Sequence, residues 1–384
     1  KLETETVTAS EQVKNAGDLT ITGTSNSSKI TGNGTTEFTN DVNNSGDISQ
    51  GTVKVADGKT LTTTGDITTD NLTNGGTVTL NSADTTLTIK GGTSDTPTTV
   101  GGTINGTGST KIEGNAQNNG NIASAVEIAA SGKLSTNANN VTGVITNNAT
   151  GGLTLTGGTI QNAIDGTGST VISGTVLNNK DTAGKSIDNA VTITSTGNLT
   201  TAADKLGGAV ENNGTTNGLT LTGGKLSQNV TGTGKTIIDG TDVSVKYGNS
   251  IAQDIEITSG NKLINTNVTA IGGDVENNGD IQLYSWDNDK LEHNITGTGT
   301  TELNQKVVVA ADIENAINIK SYTDSESVVH NANVTVESGH KFGITGKDIT
   351  VDLNNNLIMQ DADDIKGNLI NNGVVELQGG LISS

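Results

Sequence analysis

The sequence predicts an all-β fold, a right-handed parallel β-helix (β-solenoid) of roughly 17–19 rungs with no significant helix. Three observations lead there. Short runs alternate aliphatic residues with Thr, Asn or Asp. Clusters of Gly and Asn separate those runs. The clusters themselves return at a long, nearly constant interval.

The alternation is clearest in Leu19-Thr20-Ile21-Thr22, Val78-Thr79-Leu80 and Val191-Thr192-Ile193-Thr194. Period two bounded by Gly and Asn is a strand signal, and no longer window sustains a helical period. The best-defined rung places Leu153, Leu155, Ile160, Ile164, Val171 and Ile172 inward and Thr154 and Thr156 outward.

A G-x-G-x-T element occurs at 32–36, 106–110, 166–170, 232–236 and 297–301, and the last three copies are almost evenly spaced. The segments 151–170 and 217–236 align without a gap and are identical at more than half of their positions, including LTLTGG at 153–158 and 219–224. Glycine suits such corners because a sharp change of strand direction often needs a positive φ. A second punctuation, N-N-G, occurs at 118–120, 212–214, 277–279 and 371–373. Asn-Gly also favours hairpin turns. Here, though, the repeated strand–corner–strand plan favours corners of a coil, with each strand paired to its equivalent one rung later. A unit of about 65 residues divides into about three coils of roughly 20–22 residues. The core is then columns of Val, Ile and Leu, with corner Asn side chains able to bond in ladders.

Gly, Asn and Thr run evenly along the chain, so residues 1–384 read as a single continuous β-solenoid of degenerate units of about 65 residues. At Leu377–Leu381 the sequence enters another LTLTGG-like rung and stops at Ser384 with no recognisable cap. The expectation is a fragment of a longer protein, beginning at a mature or trimmed end, or else a rod that stacks end to end.

Aliphatic and aromatic residues make up 30% of the chain, low enough to raise disorder as an alternative. Their strict patterning argues against it. The net charge is −20, and all 21 basic residues are Lys. A chain without Arg and without a basic face is not built for nucleic acid or anionic lipid. The acidity fits solubility and repulsion between neighbouring surfaces. Cysteine is absent, which removes disulfides, thiol catalysis and cysteine zinc sites. No apolar run is long enough for direct membrane insertion.

Catalytic signatures are also missing, and the expectation is that the chain is not an enzyme. His293, His330 and His340 fall in no metal-ligand spacing, and GTGKT at 232–236 lacks the phosphate-loop spacing. Paired carboxylates could serve sugar hydrolysis or elimination, but the required separation cannot be read from spacing. No cofactor is expected, apart from a weak calcium possibility at Asp361, Asp363 and Asp364 or at Asp287 and Asp289. Outward Thr-x-Thr pairs (Thr20/Thr22, Thr77/Thr79, Thr86/Thr88, Thr154/Thr156, Thr192/Thr194, Thr220/Thr222) raise an ice-binding face, but the homologous pair recurs only once per unit.

One segment breaks the repeat. Between Leu283 and Leu291 the chain inserts Tyr-Ser-Trp-Asp-Asn-Asp-Lys, so the stretch from Ile281 to Gly297 exceeds its tighter counterparts, Leu153 to Gly166 and Leu219 to Gly232. Insertions in solenoids map to loops on one face, often the binding face. Tyr284, Trp286, Asp287 and Asp289 are therefore the candidate contact patch, with a tolerated bulge as the plainer explanation.

The LTLTGG…GTGxT rung and the N-N-G corners resemble the repeats of autotransporter passengers and related bacterial β-helical surface adhesins. The resemblance covers nearly all of the chain and rests on low-complexity motifs. It implies a secreted, cell-surface passenger of a Gram-negative bacterium, exported through an outer-membrane barrel that is not part of this chain. It also implies roles in adhesion, autoaggregation and biofilm formation. The partners would be host-surface or matrix glycans or proteins, or neighbouring copies of itself. No protease signature, no RGD and none of the proline-containing motifs of the two-partner secretion domain are present. A self-assembling fibre or surface-layer component is the alternative, and a polysaccharide-acting enzyme a lesser one.

Overall fold

The structure, a computed structural model, describes residues 2–7, 12–178, 186–323 and 326–380. The expected final rung partly escapes it, since Leu381 and Ser384 lie outside the described residues. The chain divides into two compact units, Lys1–Thr192 and Ile193–Ser384. Both are parallel β-solenoids, with about 19 turns in all. Four short 3-10 turns interrupt the strands, and no α-helix occurs among the described residues.

In the first unit three files of side chains fill the interior. One runs Val13, Ile30, Ile48, Ile67, Leu87, Thr110, Val126, Ile145, Ile164, each the parallel partner of the next. A second runs Val42, Leu61, Val78, Ile104, Ile122, Val141. A third contains Leu19, Thr36, Val53 and Leu72, and a further stretch of Ala116, Leu134, Leu153 and Thr170 stacks in the same way. Most steps are close to one short coil. The longer step from Val78 to Ile104 accommodates an exposed loop with the chain's single proline, Pro97. Burying each such aliphatic side chain contributes about 1.5–3 kcal/mol, and strand backbones satisfy one another from coil to coil.

The second unit repeats the plan. One file runs Leu199, Leu219, Thr236, Ile255, Val275, Ile295, Ile313, Phe342, Ile365. Another runs Val210, Val230, Ile251, Ile271. These two files explain the long repeat. Val210 and Val275 open homologous V-E-N-N-G segments, yet they stand in different files. Three coils from Val210 end at Ile271, short of Val275, and the remainder carries the motif round the next corner. The three coils, 20, 21 and 20 residues long, fall within the expected range but together are shorter than the long repeat. The homologous Thr-x-Thr pairs do not stack on one another, as Thr154 lies between Ser135 and Val171 and Thr220 between Thr200 and Ile237, whereas Thr77 and Thr79 do stack in register on Thr60 and Thr62.

Two sequence elements turn out to be one structure. All five leading glycines of G-x-G-x-T have positive φ: Gly32 129°, Gly106 105°, Gly166 98°, Gly232 107° and Gly297 112°. In the second unit each G-x-G sits directly on the N-N-G of the coil before. Gly234 N donates to Asn212 O (2.8 Å), and Thr233 and Thr298 N–H groups donate to Asn213 and Asn278 Oδ1 (both 3.2 Å). Three N-N-G corners are closed by their first Asn: Oδ1 of Asn118, Asn212 and Asn371 accepts from the N–H of Gly120, Gly214 and Gly373 at 3.0–3.1 Å. Asn212 Nδ2 then reaches up to Lys235 O (2.9 Å), and Asn277 Nδ2 reaches Thr300 O (3.0 Å). These are corners, not hairpins. Amide-to-amide bonds between successive coils join Asn26 to Asn44 (2.6 Å) and Asn249 to Asn229 (3.3 Å), and Asn44 donates onward to the Thr63 hydroxyl (2.8 Å).

The last Thr of every G-x-G-x-T points inward: Thr36, Thr110, Thr170, Thr236 and Thr301 are all fully buried. Four of their hydroxyls find polar partners on the following corner. Thr36 meets Gln50 (3.2 Å), Thr110 meets Ser124 (2.8 Å), Thr170 meets Asn189 (2.9 Å) and Thr236 meets Gln253 (3.1 Å). This corrects the inward assignment of Val171. Strand Ser169–Ile172 alternates, so with Thr170 and Ile172 inside, Val171 stacks on the outward Thr154. Adjacent residues of a strand cannot share a face.

Candidate functional site

Strand Asp280–Ser285 alternates strictly, with Ile281, Leu283 and Ser285 buried and Asp280, Gln282 and Tyr284 outward. Ser285 is a hydroxyl at a core position, and the loop that follows is built on it. Its Oγ accepts from the N–H groups of Asp287 (3.2 Å) and Asp289 (2.8 Å) and donates to Asp289 Oδ2 (3.0 Å). Asn288 supplies the one positive φ, 59°, a conformation its short amide side chain tolerates. The outcome is a closed turn that holds Trp286 outward, 43% exposed.

A second insertion meets this turn. Ile313 and Phe342 are direct neighbours in their file, yet between them the chain throws out a hairpin of Tyr322–Thr323 against Val329–His330. It is the one antiparallel pairing among the described residues. Its rings complete a cluster: Trp286 lies 5.9 Å from Tyr284 at 73° and 5.4 Å from His330 at 87°, and His330 stacks on Tyr322 at 6.4 Å and 23°. Edge-to-face and offset contacts of this kind are the favoured ones. Burial pushes the Tyr284 phenol above its ordinary range, with the phenols of Tyr322 and Tyr247 adding to the shift.

The gathering is notable in a chain with three Tyr, one Trp and two Phe. Phe38 and Phe342 are core residues. Of the remaining aromatics, Tyr284, Trp286 and Tyr322 come together in the second unit, and Tyr247 is close enough to contribute to the Tyr284 shift. Tyr247, Tyr284 and Tyr322 follow one another at close to two coils, and that even interval was the signal available in the sequence.

The four residues singled out from sequence therefore divide. Tyr284 and Trp286 form the centre of the patch. Asp287 is exposed beside them, while the Asp289 carboxylate turns back onto Ser285 and shapes the loop. Tyr322 and His330 belong to the patch and were not singled out.

Beside the rings, on the same sheet face, runs a groove of about 260 Å³ lined chiefly by Lys262, Asp280, Gln282, Glu302, Asn318 and Lys320. Its polar groups are fixed by one another. Gln282 Nε2 donates to Glu302 Oε1 (2.8 Å), Lys320 Nζ to Glu302 Oε2 (3.2 Å), and Lys262 pairs with Asp280 (3.2 Å). The groove meets the rings through Tyr284, whose strand neighbour Asn304 donates to Lys320 O (2.9 Å).

No protein-family model, curated protein or solved structure matches the chain.

The other motifs resolve into structure. Lys235 of GTGKT pairs with Glu256 (2.9 Å) and Glu276 (3.7 Å). Asp361 Oδ1 caps a 3-10 turn through Asp363 N (3.0 Å), and Asp364 Oδ2 accepts from Gly339 N (2.7 Å). Among the described residues no three His, Asp or Glu side chains cluster in a way that could hold a metal ion.

Proposed function

We propose that the chain is a surface-exposed bacterial β-helical passenger that acts as an adhesin or stalk, with the Tyr284–Trp286–Tyr322–His330 patch as its contact surface. One observation carries this reading: the tryptophan and two of the three tyrosines of a nearly aromatic-free chain, with His330, meet where two insertions come together. A coil that serves only as a spacer has no use for either insertion. Tyr and Trp are the side chains that contribute most to contact surfaces, because each buries a large area at low entropic cost. The regular coils beneath keep the patch rigid, and the net charge of −20 keeps neighbouring copies apart until salt or calcium screens it.

Adhesion of coated beads tests the reading. Beads carrying the chain should bind surfaces of matrix protein or cell-surface glycan, and beads carrying Trp286→Ala with Tyr322→Ala should not. Equal binding by both would refute the contact surface. The self-assembling alternative is separated by light scattering with and without calcium: a monodisperse 38.8 kDa species throughout excludes it.

A further inference from the structure

We infer that the groove and the aromatic patch together form one binding face for a neutral, linear oligosaccharide. The inference rests on the adhesin reading and gives its contact surface a ligand class.

A sugar ring presents two chemistries: apolar C–H faces and a rim of hydroxyls that both donate and accept. The site offers the complement of each. Tyr284, Trp286 and Tyr322 supply apolar ring surface with polar tips. Gln282, Glu302, Asn318 and Lys320 supply amide, carboxylate and ammonium groups in a row beside them. These groups can engage hydroxyls in either direction.

Charge narrows the ligand further. Within the groove Lys262 is paired with Asp280 and Lys320 with Glu302, so its local charge is balanced. The chain as a whole is at −20. A sulfated or sialylated glycan would meet no uncompensated cation here and a repulsive field around it. A neutral glycan meets neither obstacle. The mutual bonds between Gln282, Glu302 and Lys320 hold these side chains in place before any ligand arrives, which lowers the entropy cost of binding.

The geometry disfavours a peptide. Every strand under the groove is paired on both sides: Asp280–Ser285 lies between Lys262–Asn267 and Ile295–Gln305, and Ile295–Gln305 pairs onward with Ile313–Ile319. No free strand edge is offered for an added strand. The lining is mostly charged and amide, unlike the desolvated apolar pocket that anchors a protein partner. Four neighbouring strands at about 4.8 Å spacing give a track of about 14 Å from the Lys262 row to the Lys320 row. That suits several linked sugars lying across the coils with one ring on the aromatic cluster.

Trp286 is the only tryptophan, so its fluorescence reports on this patch alone. The full chain is assayed on an immobilised panel of neutral, sialylated and sulfated oligosaccharides together with gelatin, and neutral binders are then titrated while Trp286 emission is followed. The expected result is binding to neutral oligosaccharides with a saturable change in emission. Tyr322→Ala and Gln282→Ala should each weaken it by about tenfold, and Trp286→Phe should retain most of it. Circular dichroism confirms that each variant keeps its β-sheet signal. Binding confined to charged glycans, or neutral binding indifferent to Gln282→Ala, overturns the inference. Binding to gelatin alone overturns it while leaving the adhesin reading standing, and failure on every surface, beads included, removes both.

Discussion

Replacing Gly232 by Ala tests the stacked corner on which the coil depends. Gly232 has φ of 107°, a conformation that costs a side-chain-bearing residue about 1–3 kcal/mol. A Cβ there would also lie 2.3 Å from Asn212 O and 2.8 Å from Asn212 C, backbone atoms of the coil before. Relief requires the two coils to separate locally. The bonds at risk are Gly234 N to Asn212 O (2.8 Å) and Asn212 Nδ2 to Lys235 O (2.9 Å). At about 0.5–1.5 kcal/mol each, they bring the expected loss to roughly 2–6 kcal/mol. Gly260 is the control. It has φ of 82°, but nothing lies within 4 Å of a Cβ built on it, so Gly260→Ala incurs only the conformational cost. Repeat arrays open locally, so the assay is native-state hydrogen exchange of the amides in 212–238. Gly232→Ala should raise local opening well beyond Gly260→Ala, by roughly thirtyfold for a difference of about 2 kcal/mol. Equal effects from the two substitutions would refute the close approach of G-x-G onto N-N-G.

Two further outcomes follow from the buried hydroxyls and phenols. Thr110→Val removes the partner of a buried Ser124 and should cost about 1–3 kcal/mol in urea unfolding. Thr301→Val, at the equivalent motif position, removes a hydroxyl that has no hydrogen-bond partner and should cost less than half as much. In an absorbance titration one of the three tyrosines should ionise above the ordinary range, and Tyr284→Phe should abolish that late step. The sign is set by burial. The folded chain holds the Tyr284 proton more tightly than the unfolded one, so this contribution is complete below the ordinary tyrosine pKa and is lost as pH rises through the raised one. Stability of the wild type should therefore fall more steeply at alkaline pH than that of Tyr284→Phe.

The coil was legible because its physics is local. Alternation such as Val78-Thr79-Leu80 fixes which side chains enter the core, and G-x-G-x-T with N-N-G fixes where the chain must turn. What the sequence concealed was register. Val210 and Val275 open homologous segments but occupy different files, because three coils from Val210 are already complete at Ile271. Val171 read as core on hydrophobicity alone, whereas stacking placed the bonded Thr170 inside. The patch was legible only where an insertion broke the repeat, at Tyr284 and Trp286. Tyr322 and His330 reach it through a second insertion about two coils on, a proximity that depends on coil length. Asp289 looked like a contact residue because it is charged and close to Trp286, but a buried Ser285 hydroxyl draws it inward.

The measurement that tests the account most directly uses the absence of cysteine. Thr200 and Thr220 are outward-facing parallel partners one coil apart. With strands spaced about 4.8 Å apart, cysteines at these two positions fall within the Cα range that a disulfide spans. Moving one cysteine along the strand, to Thr222, lengthens the separation to about 8 Å, beyond that range. The account predicts rapid oxidation of Thr200→Cys/Thr220→Cys and none of Thr200→Cys/Thr222→Cys, scored by thiol counting. Equal oxidation of both pairs, or oxidation of the displaced pair alone, would contradict the parallel coil register on which the groove and its aromatic patch are built.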